Sequence, residues 1–158
     1  PHTADFSGDY PADRLVFTLA SLYPQIVTDP SASNTLFNQL GGHEQIDLLI
    51  QELLYNVAGD SRINSFFATT DLTHLQSLLV EQICEATGGY CVYSGQDMVT
   101  VHTGMNITED DFNAMVEDLL SAMDIVNIDY TSPNFDGGLP GDQLILALAA
   151  LQPDIVGH

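Results

Sequence analysis

The sequence of 158 residues contains no lysine, and its only basic side chains are Arg14 and Arg62. Binding to nucleic acid requires Lys and Arg to neutralise phosphates, and docking on anionic lipid requires them as well, so both functions are excluded. Acidic residues number 22, which gives a formal net charge of −20 at pH 7. Such a charge aids solubility and lowers folding stability through self-repulsion.

Long hydrophobic runs are also missing. No segment approaches the roughly 18 consecutive apolar residues of a membrane-spanning helix. Residues 15–23 are apolar but too short, and they lack the positive flank of a signal peptide. The sequence starts at Pro1 rather than Met, which is consistent with a removed leader or with a tag scar. Together with the acidic composition, this start leads us to expect an extracellular or periplasmic protein.

Cysteine is scarce, since Cys84 and Cys91 are the only two. The pair Gly88-Gly89 between them permits the chain to fold back, so we predict a disulfide, which also suits an exported protein. Two buried thiols are the alternative. Without a nearby histidine pattern, the two cysteines make a poor zinc site.

The acid excess has two interpretations. The acidic residues either lie on the surface of a secreted or salt-adapted protein, or some of them form calcium sites. The segment 129–142 (DYTSPNFDGGLPGD) carries oxygen ligands and turn residues that suit calcium. It lacks the ligand spacing and the closing Glu of an EF-hand, so calcium is a candidate cofactor on composition alone.

The apolar residues recur with the helical period along the chain and no strand pattern competes, so the fold class is predicted to be all-α. Residues 1–34 are predicted to be an N-terminal extension, with a short helix capped by Asp13 and stopped by Pro24, followed by a polar linker. Residues 35–158 are predicted to form the main domain.

Caps and glycines delimit the helices of this domain. The clearest spans are residues 35–40, 43–57 and 96–103. The predicted N-caps of the other helices are Thr70 or Asp71, Thr108 with Asp111 as a capping box, and Asp142.

His102 is the chemically informative residue. It lies near the end of the short helix 96–103, one turn after Met98, so the two side chains share a face. A neutral imidazole in an apolar pocket is a suitable axial ligand for haem iron. A lone histidine on an apolar face is more often a core residue with satisfied hydrogen bonds, so the residue alone leaves both interpretations open.

Five segments share an order and a spacing that are specific together, although each is weak alone: LFNQLGGHEQIDLLIQ, SRINSFF, GGYCVYSGQDMVTVHTGMNIT, DFNAMVEDLLSAM and ILALAALQPDIV. Over residues 35–156 they resemble the truncated haemoglobins of the group I type. The glycine pairs, the phenylalanine pair and the Met-x-x-x-His of that family match Gly41-Gly42, Gly88-Gly89, Phe66-Phe67, and Met98 with His102.

This resemblance implies a truncated globin fold, a two-over-two helical sandwich around haem b, with His102 as the proximal ligand of the iron. Plain core packing is the alternative role of the apolar neighbours, and the two roles overlap in a globin. The haem contacts that the resemblance implies are Leu54, Phe66, Phe67, Leu75, Leu78, Leu79, Tyr93, Met98, Val101, Ile107, Phe112 and Val116.

The distal side departs from the family. Many group I members carry a Tyr where this sequence has Leu54, and Tyr55, one residue later, is rotated by roughly 100° and should point away. On the distal helix, Gln76 and Gln82 lie off the main apolar stripe. A missing donor to dioxygen forfeits about 1.5–3 kcal/mol, so we expect an apolar pocket with fast dioxygen release, fast autoxidation, or both. The residues that this helix offers to the pocket are Leu75, Leu78 and Leu79.

His74 and the haem propionates raise a second question. His74 on the distal helix is predicted to be a surface residue near a propionate, or, if the helix rotates, a second iron ligand. Arg62 is the only base in the globin part, so other side chains are expected to hold the propionates. The candidates are Thr73, His74, Tyr93 and Ser94.

The leading functional hypothesis is a haem protein that binds a diatomic gas, O2, NO or CO. Dioxygenation of NO would need an external reductase as redox partner, because no flavin or NAD motif is present. The alternative is an electron-transfer or structural, assembly-forming globin with six-coordinate iron, as a homo-oligomer or filament. A haem-free acidic module that binds calcium is the third hypothesis, and the spacing of Met98 and His102 argues against it. No hydrolytic constellation is found.

Overall fold

The computed structural model describes residues 34–158, and every regular element among them is helical. The predicted all-α fold is therefore confirmed, whereas the helix and linker predicted before residue 34 lie outside the described residues. A 3-10 turn at Asn64–Phe67 separates the second and third helices. The helices are α1 (Leu36–Gln39), α2 (Gly42–Gly59), α3 (Leu72–Ala86), α4 (Met98–His102), α5 (Glu109–Val126), α6 (Pro140–Ala149) and α7 (Gln152–Ile155).

The core lies around α2, which packs most extensively against α5 and α3. The apolar residues that recur with the helical period along α2 are buried: Ile46, Leu49, Ile50, Leu53, Leu54 and Val57. Helix α5 contributes Leu119 and Met123 to the same cluster. Burial of each such side chain stabilises the fold by about 1.5–3 kcal/mol. Helices α2, α3 and α5 therefore form the stable core against which the shorter segments pack.

Local signals define the helix ends. Asp71 is the N-cap of α3 and accepts from the backbone N–H of Thr73 and His74, and Thr108 forms the predicted capping box with Asp111 at the start of α5. At the end of α3, Gly88 (φ +88°) and Gly89 donate to the carbonyls of Glu85 and Cys84. This is a Schellman motif, and its left-handed position explains the glycine.

Two predicted helix starts are wrong. Helix α4 begins at Met98 rather than residue 96, because the side chain of Asp97 caps it through the backbone N–H of Thr100. Asp142 is not the N-cap of α6, since the helix already begins at Pro140 and Leu139 occupies the cap. The carboxylate of Asp142 lies within the first turn, where it accepts from the N–H of Leu139 at 3.4 Å, and it accepts from the N–H and hydroxyl of Thr131, at 2.6 and 2.7 Å, and so fastens the preceding loop.

The calcium hypothesis for residues 129–142 is not supported. Asp142 is fully buried and bonded to Thr131, and Asp136 accepts from the backbone N–H of Gly138. Between residues 34 and 158, no three His, Cys, Asp or Glu side chains converge to hold a metal ion. The oxygen ligands of this loop therefore stabilise the loop itself.

The predicted disulfide is confirmed. Cys84, near the end of α3, is bonded to Cys91 in the loop that leads to α4, and their Cα atoms are 5.7 Å apart. Cys84 is wholly buried. Within the described part of the chain, no helix is both long and apolar enough to cross a membrane.

Candidate functional site

The imidazole of His102 is held in one orientation by its own helix. Its Nδ1 lies 2.8 Å from the carbonyl oxygen of Met98, one turn earlier. A carbonyl oxygen only accepts, so Nδ1 carries the proton and the lone pair resides on Nε2. No group in residues 34–158 bonds to Nε2. This is the tautomer in which histidine binds a metal through Nε2, with the other ring nitrogen orienting it.

The C-terminal end of the chain supports the helix that carries His102. Helix α4 packs against α7. The segment that follows His102 is clamped as well, because the N–H of Asn106 donates to the carbonyl of His158 and that of Gly157 donates to the carbonyl of Ile107. His102 is therefore held both by its own helix, through Met98, and by the C-terminal residues of the chain.

Three cavities, of about 450, 420 and 130 Å³, meet at His102 and Met115. The largest lies towards the 3-10 turn and α5, and its wall is almost wholly apolar. It is lined by Ile63, Phe66, Phe67, Thr70, Leu75, Val101, His102, Met105, Ile107, Asp111, Phe112, Met115 and Ile155.

The second cavity has a polar end. On one side it is bounded by α3, through Leu75, Leu78 and Leu79. On the other side lie Met98, Val101 and His102. Its remaining lining residues are Phe67, His74, Gln82, Tyr93, Ser94, Gly95, Gln96 and Met115.

The smallest cavity reaches into the core between α2, α3, α5 and the last helices. Apart from His102, Gln82 is the only polar residue that lines it. The amide nitrogen of Gln82 lies 3.5 Å from the sulfur of Met98, so this side chain bridges α3 and α4. The lining includes Val116, Leu148, Leu151 and Ile155.

These features fit a haem. The porphyrin supplies four nitrogen ligands itself, so a single correctly oriented histidine suffices on the protein side, and three or more protein ligands are not required. The flat apolar ring suits the apolar walls, while the propionates suit the polar end near Tyr93 and Ser94. The donor set of the cavities therefore matches haem and no bare metal ion.

The structure brings almost all the predicted haem contacts to these three cavities. Leu54 is the exception, because it is buried on the core side of α2 and lines a separate cavity of about 340 Å³ behind Phe67. The predicted contacts that line at least one cavity with His102 are Phe66, Phe67, Leu75, Leu78, Leu79, Tyr93, Met98, Val101, Ile107, Phe112 and Val116.

The polar side chains of the distal side are distributed differently from the sequence prediction. Tyr55 is 77% exposed and points away, as predicted. Gln76 donates to the carboxylate of Asp47, at 2.9 Å, and lies off the cavities. Gln82, which is also expected off the main apolar stripe, nevertheless lines two of the cavities. Its position follows from the contact with Met98, which sequence periodicity does not reveal.

No Arg or Lys side chain of the described residues lines these cavities. Arg62 is bound to Asp60 and Glu117 at the exposed end of α2, and its guanidinium lowers the pKa of Asp60. Thr73 lines none of the three cavities, whereas His74 lines one.

At the polar end of the second cavity, Tyr93 and Ser94 are already engaged. The hydroxyl of Tyr93 donates to the carbonyl of Gln96, and that of Ser94 donates to Glu81 at 2.6 Å. Burial raises the pKa of Tyr93, while the hydrogen bonds from Ser94 lower the pKa of Glu81. Glu81 is therefore a carboxylate that binds the loop lining this cavity.

Sequence reasoning also missed part of the lining. Met115 faces inward by helical periodicity, so a signal for it existed in the pattern of α5. Met105 follows the turn after His102. Ile155 is far away in sequence and reaches two cavities only because α7 packs on α4.

The chain is similar to known globins. Residues 35–134 match the bacterial-like globin family. A group 1 truncated haemoglobin of Mycolicibacterium paratuberculosis is 26% identical over 121 residues, which cover 77% of this chain and 83% of the relative. One from Nostoc sp. is 31% identical over 90 residues, which cover 57% of this chain and 76% of the relative.

Solved structures show the same fold. The Fe(III) form of the truncated haemoglobin from Tetrahymena pyriformis superposes with a TM-score of 0.71 at 22% identity, covering 79% of this chain and all of that one. The 2/2 haemoglobin from Synechococcus sp. superposes with a TM-score of 0.66 at 23% identity, covering 78% and 99%. With the family match and the geometry around His102, it follows that the chain belongs to the bacterial-like globins and, among them, to the group 1 truncated haemoglobins.

Proposed function

We propose that this globin holds haem b through Nε2 of His102 and that it binds a diatomic gas. Haem bound there would supply an iron that takes O2, NO or CO as a ligand. The observation that carries the proposal is the Nδ1 contact of His102 with the Met98 carbonyl, which leaves the Nε2 lone pair for a metal. The relatives are named haemoglobins, which supports the same cofactor.

The chain's own residues set the character of the gas pocket. Leu75, Leu78 and Leu79 of α3 line the cavity shared with His102 and offer no hydrogen bond. His74 and Gln82 are the polar residues of α3 that line the same cavity, and the amide of Gln82 has the Met98 sulfur as its partner. We therefore propose a mainly apolar distal side, in which a bound gas is held without a strong hydrogen bond.

The absorption spectrum of the purified protein tests the haem assignment. After addition of haemin we expect a Soret band in the ferric form, and a shift on reduction by dithionite and exposure to CO. The variant His102→Ala should lose this spectrum, whereas His43→Ala, which changes an exposed histidine at the start of α2, should retain it. A Soret band that persists unchanged in His102→Ala would contradict the proposal.

A six-coordinate, electron-transferring globin is the second candidate. One observation favours it, namely that His74 and His102 line the same cavity. In that case the ferrous protein should show a low-spin six-coordinate spectrum, and His74→Ala should convert it to the five-coordinate form. An unaltered high-spin ferrous spectrum in both proteins excludes this candidate.

We further propose that the protein works outside the cytoplasm. The Cys84–Cys91 disulfide supports this location, because disulfides persist in oxidising compartments. The strongly acidic composition is in keeping with it. A gas-binding role that consumes NO would additionally need a reductase partner there. Fractionation of expressing cells, with detection of the protein by mass and by its disulfide, tests the location.

A further inference from the structure

One wall of the second cavity is a loop with no regular structure. We call residues 91–97, between the disulfide and the start of α4, the strap. Tyr93, Ser94, Gly95 and Gln96 of the strap line this cavity together with the leucines of α3. The strap ends at Asp97, the N-cap of the helix that carries His102. Its position therefore affects both the cavity wall and the histidine.

The strap is fastened to α3 at three points. The disulfide joins Cys91 to Cys84. The carboxylate of Glu85 accepts from the N–H of Tyr93 at 3.2 Å. The carboxylate of Glu81 accepts from both the N–H and the hydroxyl of Ser94, at 3.0 and 2.6 Å. Because residues three and four apart lie on one face of a helix, Glu81, Cys84 and Glu85 form a single attachment line.

Little else holds the strap in place. Across residues 34–158, no backbone hydrogen bond involves Tyr90, Cys91 or Val92. Val92 is 78% exposed, and Cys91, Tyr93 and Gly95 are the only strap residues that are partly buried. The hydroxyl of Tyr93 bonds to Gln96 within the strap and does not attach it to α3. The disulfide and the two carboxylates are therefore the main restraints.

We propose that the Cys84–Cys91 disulfide and Glu81 are positioning groups for the cofactor, which hold the strap against α3 and thereby slow the loss of haem. The inference rests on the proposed haem site. Among residues 34–158 no Arg or Lys side chain lines these cavities, so the strap supplies part of the retention that an ion pair from such a residue to the haem propionates would give. A disulfide that closes a short loop lowers the conformational entropy of the state in which the strap is detached from α3. Detachment of the strap, and with it the loss of haem, is then less favourable.

Haem transfer from the full-length, haemin-loaded chain to an excess of a haem-free acceptor globin measures retention, through the change in the Soret band. We expect Cys91→Ser, which leaves the Cys84 thiol in the core, to lose haem about tenfold faster, because short-loop closure is worth at least that factor. Glu81→Ala should accelerate the loss, and Glu81→Gln should restore most of the retention because its amide oxygen still accepts from Ser94.

A matched control variant distinguishes an effect on the position of the strap from a general loss of folding stability. Thr131→Val removes a hydroxyl that binds Asp142 in another loop, away from the three cavities. We expect it to lower the melting temperature of the haem-free protein without changing the rate of haem loss. The inference is overturned if Cys91→Ser loses haem at the wild-type rate, or if haem loss in all variants simply follows the melting temperature.

The same experiment distinguishes the two proposals. A wild-type chain that takes up haem with a Soret band dependent on His102, but whose strap variants retain it normally, refutes only the role of the strap. A wild-type chain that takes up no haem refutes the proposed function itself.

Discussion

A hydrogen-bond donor introduced at Leu79 should slow the release of dioxygen. Leu79 lies on α3 and lines both the second and the smallest cavity, each of which also contains His102. Its wild-type neighbours on the distal side, Leu75 and Leu78, cannot donate. Leu79→Gln would place an amide N–H there at nearly constant volume. A hydrogen bond to a partly charged oxygen is worth about 1.5–3 kcal/mol, which corresponds to roughly a 10- to 150-fold slower release.

The assay is stopped-flow replacement of dioxygen by CO in the reduced protein. Leu79→Met serves as the control, because it keeps the volume and flexibility of Gln but has no donor, and we expect it to release dioxygen as fast as the wild type. The reasoning is refuted if the wild type already releases dioxygen slowly. Slow release that is lost in Gln82→Met would identify Gln82 as a donor, and slow release that is lost only in Tyr55→Phe would show that the exposed tyrosine turns inward.

Two further predictions concern stability. Gly89→Ala should destabilise the fold by about 1–3 kcal/mol in urea unfolding, the usual cost of overpacking, because a Cβ there would lie 2.8 Å from Cδ2 of Phe37 and 3.0 Å from the carbonyl oxygen of Cys84. Burial and the neighbouring Asp60 raise the pKa of Asp118, so its ionisation opposes folding as the pH rises through that raised value. Asp118→Asn should therefore increase the melting temperature more at pH 7 than near pH 4, and an equal change at both values would contradict this cause.

Helix positions could largely be predicted from the sequence because their signals are local. The apolar period of α2 assigns its buried side without knowledge of the partner helices, and the capping box of Thr108 and Asp111 forms within four residues. The failure at Asp142 shows the limit of such signals. Its carboxylate has the right spacing to cap a helix, but Thr131, eleven residues earlier, offers two better donors.

The site could be predicted in part, because family motifs mark His102 and most of the apolar lining. These motifs do not show from which side the neighbouring helices pack against the residues that they mark. Gln76 and Gln82 are both polar residues of α3, yet one meets Asp47 of α2 and the other meets Met98 of α4. The difference depends on how α3 is rotated between its two partners, which no local pattern specifies.

The sequence by itself determined the helical class, most helix ends and the disulfide, and it marked His102 as the candidate haem ligand, since each depends on residues within a few positions of one another or on a family motif. Only the tertiary structure decided that Leu54 lines a cavity apart from those of His102, that Gln82 reaches the cavities, and that the chain's last residues clamp the segment after His102. The physical reason is that these contacts join elements distant in sequence. Their formation depends on the packing of whole helices against one another.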